Sequence, residues 1–292
     1  MEEPLKPAPD FQGESAEGGF ERVFTLRRGK QMERNTKRPR RYEIGEWGVM
    51  VKEHLPPGLK SLCLDLFFRY MPIPLICLLW KEMDGYFKLR TPQSGDVVVD
   101  AGAWTGHFTI VAARLVGPQG RVVAIEPQKV MCERLKSRLQ RLGLKTVTVV
   151  NSALFNCTCE LAVPSRNDSG FNVLAEAVIT EKKELVNLRT LDDILAALDV
   201  KRVNFIKMDI EGAEIEALDG MHSTLSSMQP FVAIASYHWR DGAQTFSRVE
   251  EILRGFNYSA RTGHQWHLTT WGWNSTDWNA QELAERSVAR GI

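Results

Sequence analysis

The stretch Val97-Val-Val-Asp100-Ala-Gly-Ala-Trp-Thr-Gly106-His-Phe-Thr constrains this chain more than any other. A short apolar run ends in an acid, a glycine-bearing turn follows, and apolar residues then recur with helical spacing from Phe108 to Val116. That pattern predicts a buried strand, a tight turn and a helix. The glycines let the turn tighten and let a ligand press on the backbone. The helix start points free N–H groups at whatever sits there. Ligands of open parallel sheets lie beyond the carboxyl ends of the strands, so this turn is where chemistry is first expected.

The alternation continues. Val122–Glu126 reads as a second strand, and Val130–Leu142 as an amphipathic helix with Leu135, Leu139 and Leu142 on one face. Thr146–Val150, Val203–Met208 and Phe231–Ser236 are further strands. A helix starts at Thr190, a good cap, another spans Ala243–Leu253, and Tyr258–Trp273 closes the pattern as an antiparallel pair of strands. Strands alternating with helices of this length require right-handed crossovers and a parallel sheet. Residues 155–189 are less regular; short strands and a loop at Asn167-Asp-Ser-Gly170 are expected. The expected fold is α/β over residues 91–292, mostly parallel, ending in an antiparallel hairpin.

Two segments precede it. Residues 46–90 read as a helical cap or extension. The apolar run Leu62–Trp80 is interrupted by Asp65, Arg69, Pro72 and Pro74, so two short helices are expected rather than a membrane span. Residues 1–45 read as a disordered or loosely attached basic arm, with nine Lys or Arg against one acid, Glu33, between Arg22 and Arg41. Net charge is only +1, so the whole molecule is no obvious polyanion binder. Five cysteines behind a polar N-terminus suggest reduced thiols in a cytoplasmic protein. Cys157 and Cys159, two apart on an expected strand, should face opposite ways.

The glycine turn reads Asp-x-Gly-x-x-x-Gly, not the G-x-G-x-x-G that clears a pyrophosphate. A leading acid would repel a pyrophosphate and suit a ligand carrying an ammonium group, as the methionine end of S-adenosylmethionine does. Glu126 ends the next strand, where an acid can accept both ribose hydroxyls. The fourth strand ends in Phe205-Ile-Lys207-Met-Asp209-Ile-Glu211-Gly-Ala-Glu214. Four charges at the mouth of a buried strand are costly unless they pair or act. The fifth strand ends at the same rim in Ser236-Tyr237-His238-Trp239.

Asp100–Thr109, Ala-Ile-Glu126-Pro127 and Phe205–Glu214 together resemble the FkbM-type methyltransferases over roughly residues 84–272. The resemblance implies a Rossmann-like seven-stranded methyltransferase sheet, S-adenosylmethionine as cofactor, and O-methylation of a sugar or other hydroxyl. Carried over, it places Asp100, Gly102, Ala103 and Gly106 at the methionine end, with Trp104 and Thr105 in the same loop. Glu126, with Pro127 beside it, would bind the ribose, and Ser152 and Ala153 would wall the adenine. Lys207, Asp209, Glu211 and Glu214 would form a cluster near the acceptor, Asp209 also bordering the cofactor. Where members often carry an acid and a histidine after the fifth strand, this chain keeps the histidine only.

A hydroxyl acceptor must lose its proton. His238 is the first candidate base, because an unperturbed imidazole titrates near working pH. Asp209 is the second; it could instead orient the base or hold a divalent cation with Glu211. Capping of the next helix can explain one of Glu211 and Glu214, and Lys207 can neutralise the cluster. His264 and His267 have metal-like spacing but should face opposite ways on a strand, and no metal centre is expected. Trp266, Trp271, Trp273 and Trp278 are expected to pack the terminal hairpin rather than stack on a sugar or base. Three functions fit: an O-methyltransferase for a small hydroxylated or glycosyl acceptor, an RNA methyltransferase gripping phosphates with the basic arm, and a non-catalytic cofactor-binding scaffold.

Overall fold

The computed structural model describes residues 57–164, 183–240, 242–265 and 267–274. The basic arm, the Asn167–Gly170 loop, Trp266 and Trp278 lie outside the described residues. Three helices come first: α1 (Pro57–Tyr70), α2 (Ile73–Leu79) and α3 (Lys81–Phe87). Then follow β1 (Val97–Ala101), α4 (His107–Val116), β2 (Arg121–Glu126), α5 (Lys129–Arg141), β3 (Val147–Asn151), β4 (Ala153–Leu154), β5 (Cys159–Pro164) and β6 (Lys183–Arg189). The remainder is α6 (Leu191–Ala197), β7 (Phe205–Met208), α7 (Glu214–Asp219), a π-helical turn at Thr224–Met228, β8 (Phe231–Ala235), β9 (Trp239–Arg240), β10 (Ala243–Gln244), α8 (Phe246–Gly255), β11 (Tyr258–Gly263) and β12 (Thr269–Asn274).

Seven strands form the main sheet in the order β11-β12-β8-β7-β1-β2-β3. β3, β2, β1, β7 and β8 pair in parallel, whereas β12 is antiparallel to both β8 and β11. This is the expected mostly parallel sheet with a terminal hairpin, the hairpin's second strand being the one inserted beside β8. β1 and β7 carry almost unbroken apolar runs because helices cover both faces. One core layer holds Phe68, Ile76, Phe87, Phe108, Phe205 and Trp271. The other holds Leu191, Ile194, Leu218, Leu225, Val249 and Leu253. Residues 155–189 contribute β5 and β6, which with β4 make a separate three-stranded sheet.

The helical extension is bonded into the body. Asp65 of α1 is fully buried and meets Arg138 Nε at 2.5 Å and Arg141 Nη2 at 2.7 Å, both on α5. Arg114 of α4 donates to the carbonyls of Phe68 and Met71 at 2.6 and 2.8 Å, satisfying acceptors that the end of α1 leaves open. Trp271 Nε1 donates to the Gly85 carbonyl at 2.9 Å, so this tryptophan packs the core.

Two local expectations are corrected. The helix expected from Ala243 starts at Phe246, because residues 239–244 form the two-stranded β9–β10 ribbon around Gly242. Cys157 and Cys159 do not face apart: Cys157 lies in a bend before β5, and the two sulfurs approach to 2.9 Å.

Candidate active site

Asp100 and Lys207 are direct register partners on β1 and β7, so their side chains share a face of the sheet. Lys207 Nζ lies 3.0 Å from Asp100 Oδ1 and donates to the carbonyls of Ala101 and Gly102 at 3.1 and 2.8 Å. Thr109 Oγ1 donates to Asp100 Oδ2 at 2.5 Å. Both charged groups are buried beneath the glycine turn. The ammonium donates to two carbonyls of the turn and faces the Asp100 carboxylate, so Lys207 holds the turn. Asp100 likewise meets a cation of the protein itself, where the sequence pointed it at a ligand's ammonium.

The turn is shaped by the neighbouring strand as much as by any ligand. Gly102 has φ +75°, and a Cβ there would stand 1.8 Å from the Asp209 carbonyl oxygen. The glycine therefore serves the close approach of two backbones. Trp104 takes a left-handed φ of +45° and is 40% exposed at the mouth. Its N–H donates to Glu126 Oε2 at 2.8 Å, while Gln128 N–H donates to Oε1 at 3.0 Å. Burial raises the Glu126 pKa, partly offset by these N–H donors. Arg138 donates to the Thr105 carbonyl, so α1, α5 and the glycine turn form one bonded chain. The Thr105 hydroxyl is buried without a partner. Pro127 is half-buried beside Glu126. Ser152 and Ala153 are buried at the start of β4, with Ser152 Oγ donating to the Asn187 carbonyl at 2.8 Å.

The structure brings Asp209, Glu211, Glu214 and His238 together at the tips of β7 and β8. His238 Nε2 is 3.6 Å from Asp209 Oδ1 and 3.6 Å from Glu211 Oε2; its Nδ1 is 3.0 Å from Glu214 Oε1. Glu214 Oε1 also accepts from Gly212 N–H at 3.1 Å, so this acid organises the turn as well as facing the histidine. The carbonyl of His238 accepts from Thr245 N–H at 2.9 Å across the β9–β10 ribbon, which fixes the imidazole's backbone.

Burial alone would lower the His238 pKa, but Glu211, Glu214 and Asp209 overcome it and push it up to about 10. In the metal-free protein this favours the protonated ring at neutral pH, a form with no lone pair to accept a proton. That state is at odds with the base role expected of His238, whose ring lies among three carboxylates. Burial would raise the Asp209 pKa, yet His267, Lys207 and His238 hold it well below the usual carboxylate range.

Three residues of this site carried no assigned role in the sequence. Tyr86 of α3 donates its hydroxyl to Asp209 Oδ2 at 2.9 Å, and Tyr237 reaches Asp209 Oδ1 at 3.5 Å. Burial, then Asp209, raise both phenols' pKa values. His267 Nε2 stands 3.2 Å from the Tyr86 oxygen and 3.8 Å from Asp209 Oδ2. His264 pairs instead with Asp84 at 3.0 Å. The two histidines do not face opposite ways. They sit on the turn between β11 and β12, and both rings come within 3.5 Å of where a Gly85 Cβ would stand.

A sheet of this order, with a glycine turn at the tip of β1 and an acid at the tip of β2, is that of the Rossmann-like methyltransferases that use S-adenosylmethionine. The methyltransferase FkbM domain matches residues 100–260, more than half of the chain, and the chain belongs to that family. Residues 100–260 are thus a methyltransferase domain. A segment of 58 residues, 20% of this chain, is 43% identical to the protein-L-isoaspartate O-methyltransferase of Ignicoccus hospitalis, covering 28% of that protein. The AMB antimetabolite synthetase AmbE of Pseudomonas aeruginosa is 27% identical over 56% of this chain, which spans 10% of AmbE. The crystal structure of methyltransferase FkbM from Methylobacillus flagellatus KT aligns with a TM-score of 0.49 at 21% identity, over 78% of this chain and 58% of that one. The chain thus spans less than two thirds of these relatives. Among the described residues no helix is long and apolar enough to cross a membrane.

Proposed function

We propose that this protein methylates a hydroxyl oxygen on a sugar or other small hydroxylated acceptor. The observation that carries this reading is the acidic rim beside the glycine turn, where Asp209, Glu211 and Glu214 face a single imidazolium. Ionised carboxylates accept hydrogen bonds from hydroxyl groups and so orient an incoming alcohol. They repel phosphodiesters, which disfavours the RNA reading. The five free thiols support a reducing, cytoplasmic setting.

The residues fit the cofactor. The unpartnered Thr105 hydroxyl and the carboxylate of Glu126 are polar groups with capacity left for a ligand. Gly102, Ala103, Trp104, Thr105 and Gly106 would line the methionine end, Glu126 with Pro127 the ribose, and Ser152 with Ala153 the adenine; Asp100 supports the turn from below. S-adenosylmethionine supplies an already activated methyl group when bound. The chain's own task is to align the acceptor oxygen and exclude water. Asp209, fixed by Tyr86 and Tyr237, is the residue placed to orient the acceptor hydroxyl, and His238 holds the neighbouring carboxylates in place.

Calorimetry with S-adenosylmethionine tests the cofactor half, and absence of binding to the wild type would sink it. Transfer of labelled methyl to an alkali-stable product from a panel of saccharides and phenols tests the acceptor half. Label recovered only in base-labile esters, or in RNA, would refute O-methylation of a hydroxyl.

A further inference from the structure

Asp209, Glu211 and His238 make an unusual set once Lys207 is discounted. One oxygen of each carboxylate and one ring nitrogen lie within 4.8 Å of one another. We propose that these three residues bind a divalent cation of the Mn2+, Co2+ or Zn2+ type, and that its open positions hold two adjacent oxygens of the acceptor. The acceptor half rests on the O-methylation reading above.

The histidine is the first reason. Its side chain is 9% exposed, yet neither ring nitrogen has a hydrogen-bond partner of good geometry. Nε2 points between Asp209 and Glu211 at 3.6 Å from each, too far for a hydrogen bond and close for a shared ion. An ion about 2.1 Å from each donor needs neighbouring donors about 3 Å apart, so the two 3.6 Å edges to His238 would close by roughly half an ångström, and the Asp209–Glu211 edge lies within 4.8 Å.

The surrounding groups are the second reason. Metal-binding imidazoles usually turn their other nitrogen to a carboxylate. His238 Nδ1 faces Glu214 Oε1 at 3.0 Å, so Nε2 is the nitrogen that would take the ion, releasing its proton to solvent on binding. Asp209 has the matching arrangement: Tyr86 donates to Oδ2 at 2.9 Å, while Oδ1 is the oxygen nearest His238. Charge is the third. Asp100 already compensates Lys207, and Arg240 is committed to Glu216, so three acids face two imidazoles, His238 and His267, the latter 3.8 Å from Asp209 Oδ2. A divalent cation cancels that excess in a half-buried place where it is costly.

The donor chemistry sets the ion and its task. Two carboxylates and one imidazole suit Mn2+, Co2+ or Zn2+ better than Mg2+ or Ca2+, which take all-oxygen shells. Three protein ligands leave positions for exchangeable oxygens. Such an ion would lower the pKa of a bound hydroxyl. Two of these positions filled together would select a vicinal diol over an isolated alcohol.

The test uses the full chain, stripped with a chelator and titrated with Mn2+ while electron paramagnetic resonance reports the free ion. One site per chain is expected, weakened at least tenfold in Glu211→Gln and in His238→Gln, and displaced by Zn2+ or Co2+ well before Mg2+. Glu133→Gln, on the outer face of α5, serves as the control, and thermal melting verifies that each variant folds. No stoichiometric Mn2+ binding, or equal binding by wild type and both variants, overturns the site. For the acceptor half, catechol should displace water from the bound Mn2+ and lower water-proton relaxation, whereas phenol should not; equal effects of the two overturn the diol preference. Calorimetry with S-adenosylmethionine on the same samples separates the readings: its failure counts against the methyltransferase reading, while failure of Mn2+ alone counts against the ion.

Discussion

Two charged clusters sit a few residues apart on β1, β7 and β8, and they are built on opposite principles. Beneath the glycine turn, Asp100 and Lys207 form a buried ion pair, with Thr109 donating to Asp100 Oδ2 and two backbone carbonyls accepting from the ammonium. At the rim, Asp209, Glu211 and Glu214 crowd one histidine that meets none of them in good hydrogen-bond geometry. A buried charge survives only when paired and hydrogen-bonded. The first cluster comes nearer to that condition, since its one oxygen without a hydrogen bond, Asp100 Oδ1, faces the buried ammonium at 3.0 Å, and it is a structural fastening. The second meets it only in part, which is the signature of a place kept for something else.

The comparison breaks most decisively at Lys207. Lys207→Met leaves Asp100 buried without its counter-charge and frees two carbonyls of the turn, and should cost roughly 3–5 kcal/mol of stability by chemical denaturation. Pairing it with Asp100→Asn should recover part of that loss, because contacting residues do not add. A Lys207→Met protein as stable as the wild type would remove the distinction between the clusters. Asp65→Asn is the next step down. It neutralises the partner of Arg138 while keeping hydrogen-bond capacity, so about 2 kcal/mol is expected. Arg138 also holds the Thr105 carbonyl. Cofactor affinity measured by calorimetry should therefore fall even though Asp65 lies on α1.

These two residues also mark what could be read in the sequence. The strand–turn–helix unit, the acid at the tip of β2 and the charges after β7 are local patterns, and their periodicity placed them on the right elements. The partnership of Asp100 with Lys207 is a matter of register between strands 107 positions apart, which no local pattern encodes. Tyr86 and His267 reach Asp209 from α3 and from the β11–β12 turn, both outside the motif. The spacing of His264 and His267 was a usable signal, but reading it as a strand hid the turn that brings both rings to one side. His238 shows a different limit. Its position at the rim was legible, and its protonation state depended on how many carboxylates the fold would collect around it.

A third histidine extends the contrast to pH. His107 opens α4 beside the glycine turn and packs against Phe68, Trp80 and Trp104, with centroids 4.6, 5.2 and 6.0 Å away. Burial, with Arg138 nearby, lowers its pKa to about 3. The unfolded chain takes up that proton near pH 6.5, which the folded chain refuses. The associated stability is complete above pH 6.5 and is lost progressively as pH falls toward 3. His107→Phe keeps the ring stack and removes the titration, so its melting temperature should fall less than that of the wild type across this window. Parallel curves would show that His107 is protonated in the fold.

The smallest effect is the most pointed test of the rim. Glu211 sits at a left-handed φ of +57°, and its side chain is partly open to solvent. If the rim were a fastening like Asp100–Lys207, Glu211→Gln would weaken the fold. If the acids there are in excess, removing one relieves repulsion that Asp209 and Glu214 still exert. In the metal-free protein the repulsion relieved and the attraction to His238 lost oppose each other, so we expect Glu211→Gln to change stability by no more than about 0.5 kcal/mol, the usual scale for partly exposed substitutions. Raising the salt concentration should shrink the difference, since screening weakens repulsion at a solvent-facing group. Melting curves at low and high ionic strength measure both. A clear loss of stability on removing Glu211 would mean that the rim, like the cluster beneath the turn, is held together by its own charges.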